Sequence, residues 1–235
     1  MGIYQAILDL LFPPRCVFCR DFLRQKDAHF CPTCAENLPF CPDDAVCQTG
    51  DFYSACVTPF FYTDGVKDSV HRYKFQNAQG YRRAYGPILA ACIDTHAQSP
   101  YDLITWAPLS RKRLRKRGYD QAKLLAEETA RYLDKPCTAV LQKVRNVPPQ
   151  SGAGGRAARK ANIAGAYKAL DPAQISGKRI LLIDDVLTTG STLSECARSL
   201  LLAGAEEISC AALARAPIWE VQDLEKEQEK VLQTV

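Results

Sequence analysis

Two adjacent carboxylates, Asp184 and Asp185, follow an apolar run and precede a loop rich in hydroxyl groups. Residues 179–183 have the character of a buried strand, and residues 191–203 repeat apolar side chains with a helical period. A loop that opens a helix offers unpaired backbone amides and the positive end of the helix dipole, which suits a phosphate. The carboxylates would repel that phosphate and are better suited to accept hydrogen bonds from vicinal hydroxyls. The pattern predicts a ribose 5-phosphate site; the alternative is an ordinary strand–turn–helix of a doubly wound fold.

The stretch from residue 180 to residue 192 resembles the 5-phosphoribosyl 1-pyrophosphate (PRPP) motif of type I phosphoribosyltransferases. The resemblance implies that Asp184 and Asp185 are the catalytic carboxylates. It also implies that PRPP is bound by the whole loop, which consists of Asp184, Asp185, Val186, Leu187, Thr188, Thr189, Gly190, Ser191 and Thr192.

A second candidate site is the basic run at residues 111–117, where six of seven residues are Lys or Arg. It follows a predicted strand at residues 102–107, so it is expected at the same carboxyl edge of the sheet as the acidic pair, where open α/β folds bind ligands. A pyrophosphate there, with Mg²⁺ bridging, is a suitable ligand. The residues predicted to hold it are Ser110, Arg111 and Lys112. A solvated, positively charged surface helix is the alternative.

Residues 146–160 are expected to form a loop, because two prolines and three glycines exclude a regular element. The polar and basic residues predicted to act there are Gln150, Arg156 and Lys160. Such a loop can close over a charged ligand and exclude water. A nucleic-acid-binding arm and a disordered segment are the other open interpretations.

The spacing Cys-x2-Cys-x11-Cys-x2-Cys is a second strong signal. Each Cys-x2-Cys turn presents two thiolates to one tetrahedral ion, and two turns complete a closed structural zinc site. The predicted ligands are Cys16, Cys19, Cys31 and Cys34. A redox thiol pair is the alternative. Cys41 and Cys47 are interpreted as unliganded thiols or as a second, weaker site.

Composition limits the classes of partner. The 235-residue chain has a net charge of +4, but residues 217–235 contain five acids and two bases, so residues 1–216 have a net charge of +7. This excess favours a polyanion or a pyrophosphate over a neutral ligand. No segment approaches the ~20 apolar residues of a membrane span. Eleven cysteines without a secretory signal favour metal binding or reduced thiols in a cytoplasmic protein.

Three regions are expected: an N-terminal helix and zinc-binding domain (1–50), an α/β domain (51–216) and a charged C-terminal helical tail (217–235). Alternation of strand-like and helix-like stretches predicts a mostly parallel sheet flanked by helices. The predicted strands are Val57–Tyr62, Asp102–Ala107, Thr138–Val144, Arg179–Ile183 and Glu207–Ala214, and the predicted helices are 84–96, 119–133 and 191–203.

Nearly the full chain resembles the ComF family of competence proteins. The matching stretches are Phe12-Pro13-Pro14, the paired cysteines, Leu38-Pro39, Arg72-Tyr73-Lys74-Phe75, Pro108-Leu109-Ser110, Arg117–Ala122, Pro149-Gln150, Arg159–Ile163 and the acidic loop. The family usually has Asn where Asp120 stands and often a second Cys-x2-Cys where this chain has Cys41 and Cys47.

That resemblance implies a type I phosphoribosyltransferase-like domain behind a four-cysteine zinc domain. It further implies a cytoplasmic protein of natural competence that handles incoming single-stranded DNA together with other DNA-uptake proteins. Two alternatives stay open. One is an active Mg²⁺-dependent phosphoribosyltransferase, a glycosyltransferase with an unidentified acceptor. The other is a regulator that senses PRPP without turnover.

Overall fold

The computed structural model describes residues 13–25, 28–145 and 165–217. The described part of the chain folds into one main sheet with helices on both faces, preceded by a small cysteine-rich unit. Its helices are α1 (Pro32–Asn37), α2 (Asp43–Val46), α3 (Asp64–Phe75), a 3₁₀ turn (Gln79–Tyr81), α4 (Arg82–His96), α5 (Arg111–Arg117), α6 (Gln121–Leu133), α7 (Pro172–Ile175) and α8 (Ser191–Leu202). Its strands are β1 (Cys47–Gly50), β2 (Tyr53–Val57), β3 (Phe60–Phe61), β4 (Leu103–Trp106), β5 (Leu141–Lys143), β6 (Tyr167–Ala169), β7 (Arg179–Leu187) and β8 (Glu207–Arg215).

The main sheet has the order β1-β2-β8-β7-β4, and β3 also pairs with β8. All its pairs are parallel except the edge pair β1–β2. Strands β5 and β6 form a separate antiparallel hairpin. The predicted α/β architecture with a mostly parallel sheet is confirmed. Strand β1 joins this sheet although it lies within the range predicted for the N-terminal domain.

Alternation along the central strands builds one core on each face of the sheet, because successive side chains of a strand point to opposite sides. Leu181 and Ile183 of β7 pack in the core that includes α3, α4 and α6. Ile180 and Leu182 pack in the core that includes α8 and the β5–β6 hairpin. The same alternation continues through Asp184 and Asp185, so the two carboxylates point to opposite faces of the sheet.

Several elements differ from the predicted bounds. Strand β7 runs to Leu187, because Val186 and Leu187 continue the pairing with β8. The predicted strand Val57–Tyr62 is divided at residues 58 and 59, where the amide of Thr58 bonds to the carbonyl of Val46. Helix α3 was not predicted, since its buried side chains are few.

The cysteine-rich unit packs directly on the main domain. The Phe18 ring lies 5.8 Å from the Phe60 ring and 6.3 Å from the Tyr85 ring, centroid to centroid. The guanidinium of Arg72, on α3, donates to the carbonyls of Val17 at 2.9 Å and Phe18 at 2.6 Å. Helix α3 therefore links the cysteine-rich unit to the sheet.

Three predicted features lie outside the described residues: the N-terminal helix before residue 13, the loop residues Gln150, Arg156 and Lys160, and the tail from residue 218 onward. Among the helices that the structure describes, none is long and apolar enough to cross a membrane.

Candidate functional site

A cleft of about 270 Å³ opens at the carboxyl ends of β4 and β7. The two strands are adjacent and parallel, and the amide of Ala107 bonds to the carbonyl of Ile183 at 2.9 Å. The chain that leaves β4 and the acidic pair of β7 therefore meet at one edge. The cleft is lined by Tyr62, Lys74, Ala107, Pro108, Leu109, Arg113, Arg117, Gln121, Lys143, Tyr167, Asp184, Asp185, Val186, Thr188 and Thr192.

The two carboxylates of the acidic pair approach the cleft from opposite faces of the sheet. Asp185 follows the alternation toward α3, where its Oδ1 lies 2.6 Å from the ammonium of Lys74. Asp184 points toward the other face, near Tyr167 and Cys196, where burial, and to a lesser extent the proximity of Asp184, raises the pKa of both groups.

The protonation of Asp184 differs from that of an ordinary carboxyl. Burial and the neighbouring charge of Asp185 raise the pKa of Asp184, and the backbone amide of Asp185, which donates to Asp184 Oδ1 at 2.8 Å, offsets part of this effect. Two close carboxylates in a low-dielectric site favour a bound cation or hydrogen-bond donor, because either relieves their repulsion.

One oxygen of the pair is unsatisfied. Asp185 is 5% exposed, and its Oδ2 has no hydrogen-bond partner among the described residues. A buried, unpaired carboxylate oxygen costs several kcal/mol, on the order of the penalty for desolvating a charge. This oxygen is closed off from solvent although Asp185 lines the cleft, so a small rotation of the carboxylate would bring it to a bound hydroxyl or cation.

The loop between β7 and α8 has the geometry expected of a phosphate site. Gly190 precedes α8 with a φ of +72°, and a Cβ at this position would lie 3.0 Å from the hydroxyl of Tyr53. Glycine is therefore required for both the backbone angle and the close approach. The hydroxyls of Thr189 and Ser191 lie 2.9 Å apart beside the first turn of the helix, whose amides have no intrahelical partner.

Only some of the residues predicted to form the PRPP loop line the cleft. Asp184, Asp185, Val186, Thr188 and Thr192 line the cleft. Leu187 packs in the core beneath the loop, while Thr189, Gly190 and Ser191 form the turn that sets the loop's shape.

Four cations face the acidic pair across the cleft: Lys74 from α3, Arg113 and Arg117 from α5, and Lys143 from β5. Arg113 and Arg117 are four residues apart, so they occupy the same face of the helix. The ammonium of Lys143 donates to the hydroxyl of Tyr167 at 2.7 Å, and burial lowers the pKa of Lys143. Together these side chains suit a ligand with more negative charge than a single phosphate.

The residues predicted for the pyrophosphate loop occupy other positions. Ser110 is buried and caps α5, since its hydroxyl accepts from the amide of Arg113 at 3.3 Å. Arg111 and Lys112 are exposed and do not line the cleft. The basic run is a helix that begins at its Ser cap and ends at Gly118, whose φ is +81°. The helical register thus directs Arg113 and Arg117 inward in place of the first two basic residues.

Asp120 fixes the loop that leads from β4 into α5. Its Oδ2 accepts from the amide of Leu109 at 2.8 Å, and its Oδ1 accepts from the amides of Ala122 and Lys123 at 3.1 and 3.2 Å. All three bonds need an acceptor, so a carboxylate with two acceptor oxygens serves them better than an amide, which has one.

The four predicted zinc ligands converge. The sulfur atoms of Cys16, Cys19, Cys31 and Cys34 all lie within 4.8 Å of one another. A tetrahedral site with Zn–S bonds of ~2.3 Å places sulfurs about 3.8 Å apart, so the cluster fits a structural zinc ion. The amide of Cys31 donates to the Cys16 sulfur at 3.4 Å, which further favours a thiolate.

Cys41 and Cys47 form no second cluster within the described ranges. The sulfur of Cys41 is buried and lies 3.9 Å from the hydroxyl of Thr58. This contact agrees with the interpretation of Cys41 as an unliganded thiol.

Comparisons with known proteins match both parts of the chain. Residues 120–231 match the phosphoribosyl transferase domain family, and residues 7–51 match the double zinc ribbon domain family. Competence protein F of Haemophilus influenzae is 29% identical over 223 residues, which cover 86% of this chain and 97% of that protein.

Two further relatives match a similar share of this chain. DNA utilization protein YhgH of Salmonella typhimurium is 30% identical over 208 residues, 85% of this chain and 89% of that protein. Competence protein ComFC of Bacillus subtilis is 27% identical over 214 residues, 86% of this chain and 84% of that protein.

Proposed function

The chain belongs to the ComF family, that of competence protein F, ComFC and YhgH, and from this premise we propose that its cleft binds PRPP with Mg²⁺ in a protein that handles single-stranded DNA during uptake. The observation that supports the ligand best is the unpartnered, buried Oδ2 of Asp185, opposite four cations in one cleft.

Each part of PRPP has a complementary group in the cleft. The ribose hydroxyls would donate to Asp184 and to the free oxygen of Asp185. The 5-phosphate would be held at the amides and hydroxyls of Thr188–Thr192, at the start of α8. The pyrophosphate would be neutralised by the guanidinium groups of Arg113 and Arg117.

The acidic pair also fits Mg²⁺. This ion prefers oxygen ligands and binds phosphate substrates through one or two carboxylates. Bound with PRPP, Mg²⁺ would supply charge neutralisation of the pyrophosphate. The residues that would hold it are Asp184 and Asp185, and Lys74 already partly neutralises Asp185 before any ligand binds.

Calorimetric titration of PRPP in MgCl₂ tests this proposal. Asp185→Asn should weaken PRPP binding about tenfold or more, because hydrogen bonds to a charged acceptor contribute about 1.5–3 kcal/mol. Asp94→Asn, on the exposed face of α4, removes the same charge away from the cleft and is the matched control. Absence of binding by the wild-type protein, or equal affinities of the two variants, would overturn the proposal.

Turnover is tested on the same samples. If the protein is a transferase, pyrophosphate is released from PRPP in the presence of an acceptor base or of DNA, and Asp185→Asn abolishes the release. Tight PRPP binding without release in both proteins identifies a binding or sensing role. The two results distinguish a phosphoribosyltransferase from a protein that only binds PRPP.

The DNA role is supported by charge as well as by the relatives' names. Helix α5 turns two basic residues into the cleft and leaves Arg111, Lys112, Arg115 and Lys116 exposed. Exposed cations in a row suit a polyphosphate backbone. Fluorescence anisotropy with a labelled single strand at two salt concentrations measures the effect. Affinity should fall as salt rises, and absence of binding at low salt would contradict the DNA role.

A further inference from the structure

Phe75 is an aromatic side chain that the fold leaves outside its core. It is the last residue of α3 and is 57% exposed, whereas Lys74, one residue earlier, points into the cleft and pairs with Asp185. A single exposed phenylalanine is common on protein surfaces, so the planar groups around Phe75 are what distinguish it.

Two further planar groups lie on the Phe75 ring. The imidazole of His71, one turn earlier on α3, is 4.8 Å away between ring centroids. The guanidinium of Arg117, from α5, lies 4.6 Å from the ring centroid. The rings of His71 and Phe75 are inclined at 46° to each other. The result is an exposed group of three flat side chains in contact, here called the His71–Phe75–Arg117 stack. Nucleobases bind to such surfaces, because every base has a π-face.

The stack continues into the exposed cations of α5. Arg117 belongs both to the stack and to the cleft lining, and it is anchored by a 2.7 Å hydrogen bond to Gln121. The neighbouring exposed residues Arg115 and Lys116 suit the phosphates of a strand whose base lies on Phe75. A free nucleobase would use only the stack; a single strand uses both the stack and the row of cations.

Tyr119, the aromatic residue next to the basic run in sequence, does not serve this purpose. It is 7% exposed, and its hydroxyl donates to the carbonyl of Tyr73. Phe75 is distant from the basic run in sequence, but the contact with Arg117 places its exposed ring beside α5.

We propose that the His71–Phe75–Arg117 stack is a nucleobase-binding platform for single-stranded DNA beside the phosphoribosyl cleft. This inference rests on the proposed DNA role and specifies which residues contact the bases. The exposed cations of α5 hold the backbone, and Phe75 holds an unpaired base.

Anisotropy titrations of a fluorescein-labelled thymidine 15-mer test the platform. Phe75→Ala should weaken single-strand binding about 5- to 150-fold, the effect of losing one stacked base. Phe75→Trp should retain binding. The matched control is Tyr132→Ala, which removes an equally exposed aromatic (57%) from α6 and should change nothing.

Two readouts separate stacking from other causes. Phe75→Ala should leave the salt dependence of single-strand binding unchanged, because no phosphate contact is lost. It should also leave the thermal stabilisation by PRPP and MgCl₂ unchanged, which shows that the cleft is intact.

The outcomes are distinguishable. If the wild-type protein binds the 15-mer and Phe75→Ala binds as well as Tyr132→Ala, the platform is wrong and the DNA role stands. If the wild-type protein binds no single strand, the DNA role and the platform both fail. The platform is established if Phe75→Ala alone loses single-strand affinity and Phe75→Trp retains it.

Discussion

The ammonium of Lys74 lies 2.6 Å from Oδ1 of Asp185, while Oδ2 of the same carboxylate has no partner among the described residues. One oxygen is thus paired within the protein, and the other is not. The ion pair compensates for the burial of a carboxylate that is 5% exposed.

We predict that Lys74→Met destabilises the fold by roughly 2–3 kcal/mol. The loss is below the about 3–5 kcal/mol of a fully buried pair, because the Lys74 side chain is 17% exposed. Urea unfolding measures it. Lys74→Met/Asp185→Asn should recover most of the loss, since no unpaired charge remains. Lys123→Met, in an exposed pair with Glu127, should change stability by less than about 1 kcal/mol. Equal losses in both single variants would contradict a special role for Lys74.

The acidic pair predicts a pH dependence of stability. The pKa of Asp184 is raised in the folded protein above its ordinary 3.8, so the folded state binds this proton more tightly than the unfolded state. Its contribution to stability is present below pH 3.8 and is lost as pH rises through the folded pKa. Asp184→Asn should therefore be more stable than wild type at pH 8, with a smaller difference at pH 4. Urea unfolding across pH 4–8 tests this; a difference independent of pH would show that Asp184 does not titrate there.

We predict that Gly190→Ala impairs both folding and ligand binding. A Cβ at a φ of +72° costs about 1–2 kcal/mol, and here it also meets the Tyr53 hydroxyl at 3.0 Å. Gly65→Ala is the control, because no atom lies within 4 Å of its Cβ and its helical position gains about 0.4–1 kcal/mol. Thermal unfolding with and without PRPP compares them. Unchanged PRPP stabilisation in Gly190→Ala would contradict the assignment of this loop to the 5-phosphate.

Removal of zinc should lower the PRPP affinity of the cleft as well as the stability of the cysteine-rich unit, here also called the ribbon. Arg72 of α3 bonds to the carbonyls of Val17 and Phe18, so loss of the ribbon structure frees the helix that bears Lys74. We expect Cys16→Ser to lower zinc content, melting temperature and PRPP affinity together. Cys47→Ser should retain one zinc per chain, measured by atomic emission. Loss of zinc in Cys47→Ser would place this residue among the ligands.

The sequence was informative where the chemistry lies in contiguous residues. The acidic pair, the loop of Thr188–Thr192 and the four cysteines each form a local pattern, and the structure places the acids in the cleft and the cysteines in one cluster. A thirteen-residue motif contains its own strand, turn and helix start, so its geometry is determined locally.

The cations were harder to predict because they come from three separate elements. Lys74 and Lys143 reach the cleft through the packing of α3 and of the β5–β6 hairpin, which no local pattern encodes. For α5 the sequence does indicate a helix, because Ser110 is a favourable N-cap and Gly118 is a favourable residue at a helix end. Arg111 and Lys112 were predicted to hold the pyrophosphate, whereas the helical register turns Arg113 and Arg117 into the cleft.

Three residues near the end of α3 face three different surroundings: Arg72 the ribbon, Lys74 the acidic pair and Phe75 the exterior. The ribbon is therefore not a separable module. A chain shortened to start beyond it would retain every residue of the phosphate loop and still lack the support for Lys74. A chimaera that exchanges the cysteine-rich unit between relatives would have to keep two backbone carbonyls where Arg72 can bind them.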